Sequence, residues 1–248
     1  MHDLHVGTSG WSYQHWAGRF YPKEVKSREY LEYYVTHFDC VELNACFYRL
    51  PKEAVVKGWM KRTPDEFLFC LKMSRWITHI KRLHEAGDSL KMFFDRFRPL
   101  KKKLGPLLVQ LPPSLIFNED KVRPFFKLLH GRYRNYRFAL EARHPSWVDD
   151  KVFTTLSQYG IAWVIADSGG FYPSEVVVTT DFVYLRFHGP GGLYASNYPE
   201  ELLQPYAESS KTWLQQGKSV WAFFNNDANA HAVENARAFR AMIMDKAI

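Results

Sequence analysis

Eight short apolar runs recur along the chain, at Leu4–Gly10, Cys40–Phe47, Phe67–Met73, Leu107–Pro112, Arg137–Arg143, Ala162–Asp167, Phe182–Gly189 and Ser219–Asp227. Most are separated by intervals long enough to hold a helix. Such alternation is the pattern of successive β-α units and parallel strands. The chain has 248 residues, close to the roughly 250 of a single barrel. The expectation is therefore an α/β fold, one (β/α)8 TIM barrel of eight parallel strands occupying residues 1–248.

Amphipathic stretches fill the intervals. Ser27–Thr36 and Ser89–Lys103 each open on a serine suited to capping, and the second stops at Gly105-Pro106. Glu53–Arg62, Glu119–Leu129, Asp149–Tyr159, Glu200–Gln216 and His231–Ala247 supply the others. Between Asp167 and Phe182 no helical pattern is visible, because Ser168-Gly169-Gly170 and Pro173 precede Val176-Val177-Val178. The sixth crossover helix is expected to be degenerate. No repeat, linker or composition shift divides the chain.

Side chains two apart on a strand share a face. In the second run Glu42 and Asn44 share one parity and Val41 and Leu43 the other. Glu141 and Arg143 pair in the same way in the fifth run, and Arg186 and His188 in the seventh. Lys72, Gln110, Asp167 and Asn225 end the third, fourth, sixth and eighth runs. If the apolar alternates face helices, the polar set points inward near the C-terminal mouth, where barrels carry their chemistry. The plain alternative is a self-satisfied ion-pair network, Glu141 with Arg143 or Arg186, and Glu42 with Lys72. Stability alone would be served by apolar layers, so the whole constellation reads as a site.

Three chemistries fit such a site. The first is an enzyme acting by general acid/base catalysis on a small anionic substrate, phosphate-containing or nucleotide-like. Glu141, Asp167, His188 and Glu42 would be its acids and bases. Lys72, Arg143 and Arg186 would clamp the anion, and Asn44, Gln110 and Asn225 would bond neutral groups. Trp11, Tyr13 and Trp147 would wall the cavity, and the loop carrying Gly189, Gly191 and Gly192 would bring N–H groups to phosphate. The second is a metal-dependent hydrolase or isomerase, with a divalent metal held by His79, His144 or His188 and the carboxylates. No H-x-H or H-E-x-x-H spacing favours it, and the expectation is no cofactor. The third is a non-catalytic module for nucleic acid or a sugar phosphate, stacking on the aromatic first loop (Trp11, Tyr13, Trp16, Phe20, Tyr21). A hydrophobic lid on the rim explains those aromatics equally.

The formal net charge of +7 and pI near 9.2 suit an anionic partner. The dense basic cluster, Arg96, Arg98 and Lys101–Lys103, also reads as a solvated helix end. Three cysteines (Cys40, Cys46, Cys70) with no C-x-x-C pair suggest neither a disulfide framework nor a zinc knuckle. No run approaches the ~20 apolar residues of a membrane span, and Met1-His2-Asp3-Leu4 shows no secretory n-region. A cytoplasmic protein without membrane contact is expected; the oligomeric state is open.

Several of these segments resemble a known family. Gly7-Thr8-Ser9-Gly10-Trp11-Ser12-Tyr13, with Trp16, Gly18 and Phe20-Tyr21-Pro22, is similar to the N-terminal signature of the YecE-like proteins, domain-of-unknown-function family 72. The likeness continues through Val41-Glu42-Leu43-Asn44, Phe47-Tyr48, Lys72, Thr78-His79, Gln110-Leu111-Pro112-Pro113 and Glu141-Ala142-Arg143-His144. It ends with Ser146-Trp147, Asp167, Tyr184-Leu185-Arg186-Phe187-His188-Gly189 and Phe224-Asn225-Asn226. Cys46, where the family more often has threonine, and Ala142, where a bulky apolar residue is common, depart from it. The resemblance implies a TIM barrel and no established activity.

Overall fold

The computed structural model describes residues 3–244. Strands β1 (Leu4–Thr8), β2 (Cys40–Leu43), β3 (Leu68–Leu71) and β4 (Leu107–Gln110) come first. They are followed by β5 (Phe138–Glu141), β6 (Ile161–Asp167), β7 (Phe182–Phe187) and β8 (Ser219–Phe224). All ladders are parallel. Met1 and His2 lie outside the described residues, as does the expected end of the last helix at Ala247.

The closed eight-stranded TIM barrel expected above is not what forms. The strands make a six-stranded sheet in the order β1-β8-β7-β6-β5-β4 and a separate two-stranded sheet β2-β3. Two local causes account for the break. Between β1 and β2 the Tyr34 hydroxyl takes the place of ladder bonds, accepting from Thr8 N at 3.0 Å and donating to Cys40 O at 3.2 Å. The backbones are close there, since a Cβ on Gly7 would stand 2.5 Å from Cys40 O. Between β3 and β4 only isolated bridges form, Phe69 with Leu104 and Lys72 with Leu108. Pro106, at the entry to β4, has no N–H to donate into a ladder.

Helices cover the outside: α1 (Tyr30–Tyr34), α2 (Ala45–Tyr48), α3 (Glu53–Lys61), α4 (Gly87–Phe97), α5 (Glu119–Arg132), α6 (Asp150–Gln158), α7 (Glu200–Gln215) and α8 (His231–Met244). Asn118 and Asp149 cap α5 and α6 through their side chains. The expected helix to Lys103 converts to a 3-10 turn over Arg98–Lys103, where Pro99 removes an N–H donor. The basic cluster is divided by this turn. Lys103 is buried, donating to the carbonyl of Met60 in the last turn of α3 and to those of Thr63 and Pro64 just beyond it. Residues 168–181, between β6 and β7, contain no helix.

Alternation along the strands separates two cores. Val41, Leu43, Val109, Leu140, Trp163, Ile165 and Leu185 pack under the helices with Phe93, Phe126 and Phe239. The opposite parity (Cys40, Cys70, Leu108, Ala139, Val164, Tyr184, Trp221 and Phe223) fills the space between the sheets. Glu42, Lys72, Gln110, Glu141 and Arg186 continue those inward rows toward the C-terminal ends and are all buried.

Candidate functional site

Arg186 on β7 is the centre of the mouth and has no exposed surface. Its Nε and Nη2 donate to Glu42 Oε2 and Oε1 at 2.9 and 2.7 Å, a bidentate pair, and its Nη1 donates to Glu141 Oε2. Glu42 also accepts from Ser9 Oγ (2.7 Å) and the Tyr184 hydroxyl (2.9 Å). Glu141 Oε1 accepts from Arg143 Nε at 2.8 Å. Burial alone would raise both carboxyls; the facing guanidinium of Arg186 outweighs it. Glu42 is held below its ordinary value and Glu141, with Arg143 and His188 added, well below. Both carboxylates are therefore ionised anchors at neutral pH.

His188 closes the cluster, its Nε2 3.5 Å from Glu141 Oε2 and 3.3 Å from Arg186 Nη1, its Nδ1 facing the Asn225 amide at 3.2 Å. Burial lowers its pKa against the pull of Glu141. Arg143 spans outward over the Tyr172 ring at 4.2 Å.

Lys72 behaves differently. It is buried at the end of β3, beside Asn44 (the preceding residues Leu71 and Leu43 are paired in register). Its ammonium lies 4.1 Å from the Phe47 ring centroid. Among the described residues no carboxylate stands within ion-pair distance of it. Burial, and then Arg186, bring its pKa from 10.5 down to about 7, against the pull of Glu141 and Glu42. Of the ion-pair network weighed as the plain alternative, Glu141 forms its pairs with both Arg143 and Arg186, whereas Glu42 pairs with Arg186 in place of Lys72. His79 follows the same trend: burial first, then Lys72, Arg143, Arg75 and Arg82, bring it down to about 4.

The other expected residues divide. Asn44 lines a cavity of about 410 Å³ with Ser9, Trp11, Tyr13, Trp59 and Arg62. Its Oδ1 is buried with no hydrogen-bond partner among the described residues. Tyr13 donates to Ser9 O at 2.6 Å, and Trp11 packs edge-on against Trp59, centroids 5.7 Å apart. Gln110 turns to its neighbour, donating to Leu111 O. Trp147 is fully buried and donates to Leu115 O, joining the loops after β4 and β5 instead of facing the cavity. The N–H groups of Gly191 and Gly192 both donate to Ser196 Oγ.

Asp167 does not join the mouth. It shares parity with Trp163 and Ile165, which lie under the helices. Its carboxylate accepts from the hydroxyls of Tyr198 (3.0 Å) and Tyr206 (3.1 Å). Strand-end polarity assigns no site role to Ser9, Tyr184, Phe47 or Tyr172, although the first three lie in segments that carry the family resemblance. Tyr184 has the parity of Arg186 and His188, so that signal was present. Tyr172 comes from a loop without periodicity and carried none.

Comparison with known proteins matches nearly the whole chain. The family "Protein of unknown function DUF72" matches residues 5–247. UPF0759 protein YecE of Escherichia coli (strain K12) is 30% identical over 236 residues, covering 86% of this chain and 82% of that protein. UPF0759 protein YunF of Bacillus subtilis is 26% identical over 264 residues, 94% and 92% of the two chains. A DUF72 family protein from Thermotoga maritima superposes with a TM-score of 0.88 at 30% identity, covering 98% and 99%. One from Enterococcus faecalis gives 0.84 at 21% identity, covering 99% and 97%. The mouth assembled around Arg186 is thus carried by a chain that belongs to the DUF72 family.

Proposed function

We propose that this protein is an enzyme acting on a small anionic substrate, with Lys72 as the group that exchanges a proton. The observation that carries this reading is a lysine buried at the mouth without a carboxylate partner. A buried unpaired ammonium is costly, and groups perturbed in this way cluster at functional sites. Glu42 and Glu141 are held ionised by Arg186, so they position the arginine and shape the field. Lys72 exchanges its proton near neutrality, the range suited to general acid/base catalysis. The cations Lys72, Arg143, Arg75 and Arg82 favour an anion at this end. The N–H groups of Gly191 and Gly192 are occupied by Ser196, so nothing there favours phosphate over carboxylate. The cavity beside Asn44 offers room for the remainder of the substrate, and a donor group there would satisfy Asn44 Oδ1.

The test is solvent-deuterium incorporation into a panel of small carboxylates and phosphate esters bearing acidic C–H bonds. Wild type is expected to label at least one compound, and Lys72→Met to label none. Equal labelling by the variant, or no labelling across the panel, would overturn the assignment.

Exposed aromatics favour a second reading, binding of single-stranded nucleic acid. Tyr48 (74% exposed) at the end of α2, Trp76 (54%) in the turn after β3 beside Arg75, and Phe171 (61%) in the loop after β6 all follow C-terminal strand ends. Stacking platforms among cations bind single strands with steep salt dependence. Binding of a labelled oligonucleotide that is lost in Trp76→Ala and weakened by salt would support it.

A further inference from the structure

At the end of the strands opposite the mouth, His5 on β1, Asp39 just before β2 and Cys40 at its start bring three ligand atoms within 4.8 Å of one another. Two observations mark this trio as unfinished. His5 Nδ1 and Asp39 Oδ1 are both buried and have no hydrogen-bond partner among the described residues, a rare condition for polar atoms. The trio also straddles the seam where β1 and β2 lack a ladder.

We propose that His5, Asp39 and Cys40 bind a divalent transition metal of the zinc class, which staples β1 to β2. The donor set is one imidazole, one carboxylate and one thiol, a mixture suited to a borderline-soft ion. Bonds of about 2.0–2.3 Å are reached from the present spacing by small side-chain adjustment. The His5 ring is already oriented, stacked on Trp221 with centroids 3.8 Å apart. Binding forms three metal–ligand bonds, releases the Cys40 thiol proton to solvent and leaves a fourth position to water. Access is available through Asp39, whose side chain is 36% exposed and which borders a surface cavity of about 220 Å³. The charged neighbours are Asp3, Arg137 and Arg240; Arg240 Nη2 lies 3.9 Å from the other Asp39 oxygen, Oδ2, leaving Oδ1 to the metal.

The experiment uses the full chain without a polyhistidine tag, stripped with chelator and titrated with Co2+ under reducing conditions. One equivalent of cobalt should give tetrahedral d–d bands and a thiolate-to-cobalt charge-transfer band in the near ultraviolet, and Zn2+ should bleach both. Cys40→Ser should lose the charge-transfer band, whereas Cys46→Ser should keep it. Asp39→Asn, at a partly exposed position, should weaken binding by at least about tenfold, since loss of even an outer partner of a metal site costs that much. Zn2+ should raise the Tm of wild type and not of Asp39→Asn. Absence of a stoichiometric band in folded wild type, or an unaltered titration in Asp39→Asn, would overturn the proposal. So would a band that persists in folded Cys40→Ser.

Discussion

Glu42 holds Arg186 through both carboxylate oxygens, and neither side chain has measurable solvent exposure. Removing one member of such a pair strands the other charge in a low-dielectric interior. Arg186→Met should lower stability by about 3–5 kcal/mol, because both Glu42 and Glu141 lose their counter-charge. Urea denaturation with an unchanged m-value would check this. Ser9→Ala and Tyr184→Phe, which each remove one donor to Glu42, should cost about 1.5–3 kcal/mol apiece.

Lys72 should have the opposite sign. Its pKa is near 7 folded and 10.5 in the ordinary range, so below pH 7 it is protonated in both states and the folded state bears the full cost of the buried charge. Between pH 7 and about 10 the unfolded chain binds the extra proton, and the penalty shrinks as pH rises. Lys72→Met should therefore be more stable than wild type at pH 6, by several kcal/mol at about 1.4 kcal/mol per unit of pKa. The gap should narrow on going to pH 9, which paired thermal or urea unfolding curves at the two pH values would show. Any activity that needs the neutral amine should rise through pH 7.

The seam between β1 and β2 gives a third expectation. Gly7→Ala forces a methyl against Cys40 O and should cost on the order of 1–3 kcal/mol. Tyr34→Phe leaves the Thr8 N–H and the Cys40 carbonyl without their shared partner, a loss of about 1–3 kcal/mol. Amide exchange at Thr8 should accelerate in Tyr34→Phe more than at β8 residues.

Asp167 ties the loop after β7 to α7. Tyr198 also accepts from Gly189 N at 2.9 Å, so one carboxylate orders the glycine segment at second hand. Asp167→Asn should increase proteolytic cleavage within 189–197 while leaving the Arg186 cluster intact, which limited proteolysis with mass mapping would reveal.

Strand parity made most of the mouth legible. Glu42, Glu141, Arg143, Arg186, His188 and Asn225 meet as their alternation implies, because a one-residue slip would put charges beneath helices. Asp167 stands outside the mouth by the same rule, since Trp163 and Ile165 fix its parity as outward. The partner of each charge was not legible, since strand end and parity leave open which carboxylate an arginine chooses. Nor was the divided sheet, which depends on a tyrosine hydroxyl from α1 reaching a place between two strands.

The division of the strands has a consequence for the mouth. Glu42 and Lys72 belong to the β2-β3 pair, with Asn44 directly after β2, while Glu141, Arg186 and their companions belong to the larger sheet. Arg186 with Glu42 therefore acts as a clasp between two pieces of wall. The backbone bridge of Lys72 with Leu108 fixes one edge of the smaller piece to the larger sheet, so its freedom lies at the β1 edge, where the joints are side-chain bonds. A ligand touching Lys72 on one side and Arg143 on the other would set the width of the gap between them.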